Sequence, residues 1–418
     1  MTTIDTMNNV DIGQKYKKIV HYFWDPEPKN NHNPDEPIWC LGKEYKTPIL
    51  KCIGTESSES SGSRDMLSSS PVNKIPLVPQ ETPPPGTRIS TQQTGRQNFA
   101  HEDWPSSFLD DFESRIWMTY RSNFPVIPKS NDPDALLSLT LSVRLRSQLL
   151  DTHGFTTDTG WGCMIRSGQS LLANALSILK LSRDWRRGTK IEEESALLSL
   201  FADDPQAPFS IHRFVEHGAS ACGKHPGEWF GPSATARCID DGSDVYEDRF
   251  RQIAGSVNIR PTLILLGVRL GIENITPVYW EALKAIIKYP QSVGIAGGRP
   301  SSSHYFVGVQ GPYFFYLDPH HTRPASSWKP DSTLSLEDLN TYHTRRLRRL
   351  HISEMDPSML IGFLIKDDDD WQDWKQRVRS GTGKPIIHVF DGEPPNFGRH
   401  LEREEAVDEV ETLEDDST

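Results

Sequence analysis

A chain of 418 residues is long enough for one large catalytic domain or two small ones, and a hydrophobic fraction of 36% is low for a fully globular chain of that size. The formal net charge of -12 argues against a nucleic-acid-binding face, which would be basic, and against capture by anionic lipid through charge alone. The longest apolar stretches, such as TLILLGV, have strand length rather than the ~20 residues of a membrane span, and the first residues carry no apolar run of the kind a secretory signal needs.

Residues 1–15 read as a disordered N-terminal segment, and aromatic stretches within 16–52 (KKIVHYFWD, PIWCLGKEY) as parts of a fold. From about 53 to 105 the composition turns to Ser, Thr, Pro, Gln and Gly, which cannot bury enough apolar surface to offset chain entropy; this predicts a disordered insertion within one domain spanning 16–378. Phe108, Phe112, Ile116 and Tyr120 are spaced as one helical face, and LSLTLSVRLR alternates like a strand. From Cys163 the apolar residues Ile165, Leu172, Leu176 and Leu179 predict a long buried helix. TLILLGV reads as a buried strand, Thr276 and Pro277 as the start of a helix running to Tyr289, and SVGIAGG, HYFVGVQ and YFFYLD as three strands with a turn at Gly311 and Pro312. MLIGFLI adds a strand and WQDWKQRV a helix with four aspartates ahead of its positive end. Residues 379–418 read as a mostly disordered acidic tail. Helices early and strands late give an α+β class.

Five cysteines, an odd number without framework spacing, point to reduced thiols and a cytosolic setting. Cys163 follows Gly160-Trp161-Gly162 at the predicted start of a helix, where the backbone allows close approach and the helix end favours the thiolate. A lone cysteine is more often a small buried residue, so the nucleophile reading needs a base. Two histidines qualify. His304 opens a strand, whereas His320 stands two residues after Asp318, which on an extended chain puts both on one side and lets the carboxylate orient the ring; that pair is preferred, with His321 facing away. Cys222, His225 and Cys238 match no common zinc spacing, and GGRPSSS lacks the ending of a phosphate loop, so neither a metal nor a cofactor is expected.

TDTGWGCMIRSGQSLLANAL closely resembles the nucleophile segment of the autophagins, the cysteine proteases of autophagy, and YLDPHHTRPA resembles their Asp-Pro-His segment. Further matches in family order, among them WMTYRSNFP, GEWFGPSATA and PQSVGIAGGRPSSSHYFVG, extend the likeness over about residues 38–378. The long chain and the Ser/Pro-rich insertion are similar to fungal members. The resemblance implies a papain-like α+β fold with a family-specific small subdomain, and a triad of Cys163, Asp318 and His320, against His304. It implies Tyr120 as an oxyanion donor, and Trp229, Trp161 and the loop of Gly297, Gly298 and Pro300 as residues that bind and gate the substrate. The implied partner is the ubiquitin-like autophagy modifier, as precursor and as its phosphatidylethanolamine conjugate. Membrane would then be met only transiently through the lipidated substrate, and the protein would work in the cytoplasm, with the nucleus and the autophagosome assembly site as further locations. The rival readings are another modifier-directed thiol hydrolase or a modifier-binding adaptor with weak catalysis. Val410 stands in the acidic tail where a docking motif of animal members has an aromatic.

Overall fold

The computed structural model describes residues 27–30, 36–46, 104–132, 135, 137–149, 153–237, 244–298, 302–326 and 334–392. The expected disordered segment at 1–15, the stretch KKIVHYFWD, the expected insertion at about 53–105 up to residue 103, the tail beyond 392, Cys238 and Pro300 lie outside the described residues, whereas Trp104 and Pro105 at the end of that insertion are buried in the fold. The elements begin with β1 (Ile38–Cys40), β2 (Lys43–Tyr45), α1 (Ser106–Glu113), β3 (Arg121–Ile127), α2 (Leu141–Leu149), β4 (Phe155–Thr157) and α3 (Cys163–Lys180). Then come α4 (Ile191–Ser199), α5 (Ile211–Cys222), α6 (Pro232–Arg237), β5 (Val245–Tyr246), α7 (Glu247–Ala254), β6 (Thr262–Arg269) and α8 (Trp280–Lys288). The order closes with β7 (Ser292–Gly297), β8 (His304–Gln310), β9 (Tyr313–Leu317), β10 (Arg323–Pro324), α9 (Leu336–Asn340), β11 (Arg349–His351), β12 (Ser358–Ile365), α10 (Asp368–Ser380) and β13 (Val389–Phe390).

The main sheet runs β11-β9-β8-β7-β12-β6, antiparallel throughout, and β8 pairs β7 over its first half and β1 over its second. Every residue of β12 is buried, because both faces of the sheet are covered. On one face Leu360, Leu364, Val293 and Ala296 pack against Leu171, Ala175 and Ile178 of α3. On the other, Ile361, Phe363, Ile295 and Phe306 pack with Leu283 and Ile287 of α8 and Trp371 and Trp374 of α10. The alternation of neighbouring residues between two cores gives a mixed α+β architecture in which the long helix lies across a sheet.

Two expectations give way to tertiary contacts. The helix expected to run to Tyr120 ends at Glu113. Past it, Asn174 of α3 accepts the Ile116 N–H at 3.0 Å and donates to its carbonyl at 2.9 Å, and Ser170 accepts the Met118 N–H at 3.0 Å. Buried polar side chains of α3 thus supply the backbone partners that a helix would have supplied, and the chain runs extended toward Tyr120. LSVRLRSQL is a helix rather than a strand; among its described side chains Val143 and Ser147, four residues apart, are buried, while Leu141 and Leu145 face solvent. Leu179, expected inside, is 41% exposed near the end of α3.

The helix start expected at Thr276 and Pro277 is a 3-10 turn over Pro277–Tyr279 leading into α8. In α10 the Asp367 side chain accepts the Asp370 N–H at 2.9 Å, the local cap that the run of aspartates suggests. Ordered chain continues beyond the boundary expected at 378, since β13 pairs in parallel with β5.

Trp371 is fully buried and stacks on Phe250 with centroids 3.9 Å apart, joining α10 to α7. Trp371→Ala is expected to destabilise the domain by about 3–5 kcal/mol, read as a lower urea midpoint at unchanged m.

Candidate active site

A second, small sheet gathers the site. β3 lies between β4, antiparallel, and β10, parallel. Tyr120 sits just before β3, the turn to Cys163 leaves β4, and Asp318 and His320 precede β10. The pairing is extended by the Tyr120 N–H donating to the Pro319 carbonyl at 2.9 Å and the Arg323 N–H donating to the Tyr120 carbonyl at 2.9 Å. Segments some 40 and 160 residues apart in sequence are thereby brought side by side.

Cys163 is the first residue of α3 and is fully buried. The turn ahead of it is held by Asp158, whose carbonyl accepts the N–H groups of Trp161 at 3.1 Å and Gly162 at 2.8 Å. The Asp158 carboxylate accepts the Arg121 N–H at 2.6 Å and the Arg166 Nε at 2.7 Å, and Arg166 reaches Asp203 at 2.8 Å. Burial works against the charge on Arg166, but the two carboxylates outweigh it and raise its pKa further. Gly162 must be glycine here: a Cβ would stand 2.4 Å from the Asp158 Oδ2.

The two candidate bases are separated by geometry. His320 Nδ1 lies 2.6 Å from Asp318 Oδ1, which also accepts the His320 backbone N–H at 3.0 Å. His304 Nε2 is 4.0 Å from the same oxygen, and its ring packs against Tyr316 at 4.5 Å and His320 at 5.6 Å. Burial drives the His304 pKa down to about 4, only partly offset by Asp318. For His320 burial also pulls downward, but Asp318 and Cys163 raise the pKa to about 9. Burial pushes the Cys163 thiol up, yet His320, the Ser303 backbone N–H and the Tyr120 hydroxyl together bring it below its ordinary value. A thiolate–imidazolium pair between Cys163 and His320 is the state these shifts favour.

Asp318 is held from several directions. Its pKa falls far below the usual carboxylate range because His320, His304 and Arg348 together overcome burial. Arg348 engages Oδ2, and the Trp117 indole N–H donates to the Asp318 carbonyl at 2.7 Å. His321 stacks on Trp117 on the outer side. His304, Asp318 and His320 offer ligand atoms within 4.8 Å of one another, a spacing a cation could bridge. Nδ1 and Oδ1 at 2.6 Å are, however, already joined through a proton, which suits a catalytic pair better than a metal.

Tyr120 is 3% exposed, sets its ring edge-on to His320 at 5.4 Å, and has its phenol pKa raised by burial and by the neighbouring sulfur. Its hydroxyl lies close enough to act on Cys163 but makes no regular hydrogen bond among the described residues. Trp229 is in the same buried cluster as Cys163, Met164 and Tyr120, and its indole N–H is also without a partner there. Trp161 turns inward: it is 2% exposed, packs on Phe155 and donates to the Thr157 carbonyl at 3.1 Å. Gly297 pairs with His304, and Gly298 adopts φ +148, where a Cβ would meet the Ser302 carbonyl at 2.4 Å.

Asp158, Arg166, Ser303 and Arg348 escape sequence reasoning. Ser303 is fully buried and its hydroxyl reaches Ser167 at 3.1 Å, tying the entry of β8 to α3. Asp158 reads as a turn former and Arg348 as one cation in the run RRLRR; neither local pattern reports what faces it in space.

The sequence profile of the Peptidase C54 catalytic domain matches residues 105–377. The chain is similar over 98% of its length to a protein of Coccidioides immitis (strain RS) named "Probable cysteine protease ATG4", with 72% identity covering 100% of that protein. A protein of Botryotinia fuckeliana (strain B05.10) with the same name is 58% identical over 98% of both chains. One of Emericella nidulans, named "Cysteine protease atg4", is 55% identical over 98% of this chain and 99% of its own. A buried cysteine facing an Asp-oriented histidine, within a domain matched over most of its length, makes this chain a cysteine protease of the peptidase C54 family.

Proposed function

We propose that the protein hydrolyses the bond after a glycine near the C-terminus of the ubiquitin-like autophagy modifier, and later the bond joining that glycine to phosphatidylethanolamine. The observation that carries this reading is the Cys163–His320–Asp318 arrangement at the start of α3, with Cys163 fully buried in one apolar cluster with Trp229 and its two partners only slightly exposed. A papain-like fold with a family-specific small subdomain fits the α+β architecture. The names of the fungal relatives support a role in autophagy.

The chemistry follows from the site. The Cys163 thiolate attacks the glycine carbonyl carbon, and the oxyanion is received by the free N–H at the start of α3 and by the Tyr120 hydroxyl. Protonated His320 gives its Nε2 proton to the departing amine, which is the downstream peptide in the precursor and the ethanolamine nitrogen in the lipid conjugate. A water molecule, deprotonated by His320, then attacks the thioester and frees the glycine carboxylate and the thiol. Asp318 keeps Nδ1 protonated throughout and steadies the imidazolium. Both substrates are amides of the same glycine, so one site serves both.

Because Cys163 is fully buried, an acyl chain reaches it only when Trp229 and the strand end at Gly297 and Gly298 part. A slot of that kind favours glycine, which has no side chain to accommodate. Pro300, outside the described residues, is assigned to the gate by the family resemblance alone. A cytoplasmic site of action, with membrane met only through the conjugated lipid, accords with this chemistry.

With a precursor carrying a C-terminal tag, Cys163→Ser and His320→Ala should lose about 10³-fold or more in kcat, while His304→Ala keeps most of it. A dead His304→Ala protein with native thermal unfolding would overturn the choice of base. Tyr120→Phe should lower kcat by about 10²-fold with little change in KM. The profile of kcat/KM against pH should be bell-shaped. On the acid side activity is lost as the Cys163 thiolate takes up a proton below its lowered pKa; on the alkaline side it is lost as His320 gives up its proton near pH 9. A flat profile between pH 8 and 10 would contradict this.

A further inference from the structure

The two oxygens of Asp318 are both committed, and only one of them to the histidine. Oδ1 receives the His320 ring at 2.6 Å and the His320 backbone N–H at 3.0 Å, while Oδ2 is taken by the Arg348 guanidinium. Arg348 reaches this point through the sheet. The Tyr316 N–H donates to the Arg348 carbonyl at 3.1 Å, extending the antiparallel pairing of β9 with β11. That register sets Arg348 beside the end of the strand from which Asp318 emerges. Its neighbours in the same basic run have other work: Arg345 pairs with Asp110 and Glu113, and Arg349 lies over the ring of Tyr313 at 4.6 Å.

We infer that Arg348 is a positioning residue of the peptidase, which clamps the second oxygen of Asp318 so that the first stays on His320 and the charges clustered at the site sum to zero. The inference rests on the triad reading above. A carboxylate tied through one oxygen turns readily about its last side-chain bond, whereas one tied through both is fixed in plane. The charge argument is separate. The titratable groups facing Asp318 are His304 from β8, His320 and His321 from its own loop and Arg348 from the segment before β11, while Cys163 from α3 and Tyr120 lie beyond, against His320. His304 is neutral at physiological pH. Thiolate, carboxylate, imidazolium and guanidinium then balance. Without the guanidinium this partly enclosed set carries one net negative charge, which favours protonation of Cys163 and of His320 alike. Both limbs of the activity profile should therefore move to higher pH.

The experiment measures kcat and KM for precursor cleavage across pH with Arg348→Gln and Arg348→Lys, with thermal unfolding as the check on folding. Alkylation of Cys163 by iodoacetamide across the same range reads the thiolate without substrate. Arg348→Gln is expected to lose about tenfold in kcat at neutral pH at unchanged KM, with both the cleavage and the alkylation profiles displaced upward. Arg348→Lys, which restores the charge but not the forked geometry, should return the profiles toward wild type and recover part of the rate. A Gln variant whose profiles superimpose on wild type, or whose rate falls evenly without displacement, overturns the inference. If Cys163→Ser is inactive in that case, the triad reading stands and Arg348 alone is at fault; if Cys163→Ser still cleaves, the triad reading falls and this inference with it.

Discussion

The buried carboxylate of Asp158 is the constraint on which the active site depends. One side chain and its own carbonyl hold the backbone of β3 at Arg121, the turn at Trp161 and Gly162, and the guanidinium of Arg166 one turn into α3. Arg166 passes the restraint on to Asp203, whose carboxylate accepts the Ser326 N–H at 3.1 Å beyond β10. Arg121 adds a bond to the Pro324 carbonyl at 3.0 Å and lies over the Tyr342 ring. Removing one partner from so buried a charge set leaves an uncompensated charge, commonly at a cost of about 3–5 kcal/mol. Its worth lies in register: three segments distant in sequence cannot slide past one another without breaking it.

The second balance is between burial and charge at the nucleophile. A fully enclosed thiol is ordinarily unreactive, because the thiolate loses its hydration. Here the enclosing surface is itself polar where it matters: an imidazolium, the N–H of Ser303 and a phenol offset the lost water. The apolar remainder, including Trp229 and Met164, keeps solvent from screening these interactions. The same enclosure sorts the two histidines. Each is largely enclosed, and each has Asp318 nearby, but only the one at hydrogen-bonding distance keeps its proton at neutral pH. Proximity of 2.6 Å against 4.0 Å decides the roles.

The main sheet serves as the rigid floor for this arrangement. Its buried central strands align the entry of β8, with Ser303 and His304, and the exit of β9, with Asp318, along one edge of α3. A helix carrying the nucleophile and a sheet carrying base and orienter share one core, so relative motion of the two would require repacking of close-fitted side chains.

Much of this was legible in the residues. Strand-length apolar runs marked β6, β7, β8, β9 and β12, because hydrophobic patterning acts locally and survives into the fold. The Gly-Trp-Gly-Cys turn ahead of an apolar periodicity marked the start of α3. Asp318 and His320, two apart on one segment, marked a pair whose geometry local chain direction nearly fixes. Tertiary structure alone decided the rest. The segment after Glu113 has helical spacing but runs extended, since Asn174 and Ser170 reach it from α3. LSLTLSVRLR alternates like a strand, but from Leu141 the chain is helical, since a single face suffices to bury Val143 and Ser147. The matching of Arg348 to Asp318 and the hold of Asp158 on three segments depend on distances across the fold, and the 2.6 Å against 4.0 Å that separates His320 from His304 agrees with the preference the residues had already given. Sequence determines which groups are available and what each neighbour along the chain permits; only packing determines which charges meet, because Coulomb and hydrogen-bond energies depend on separation in space.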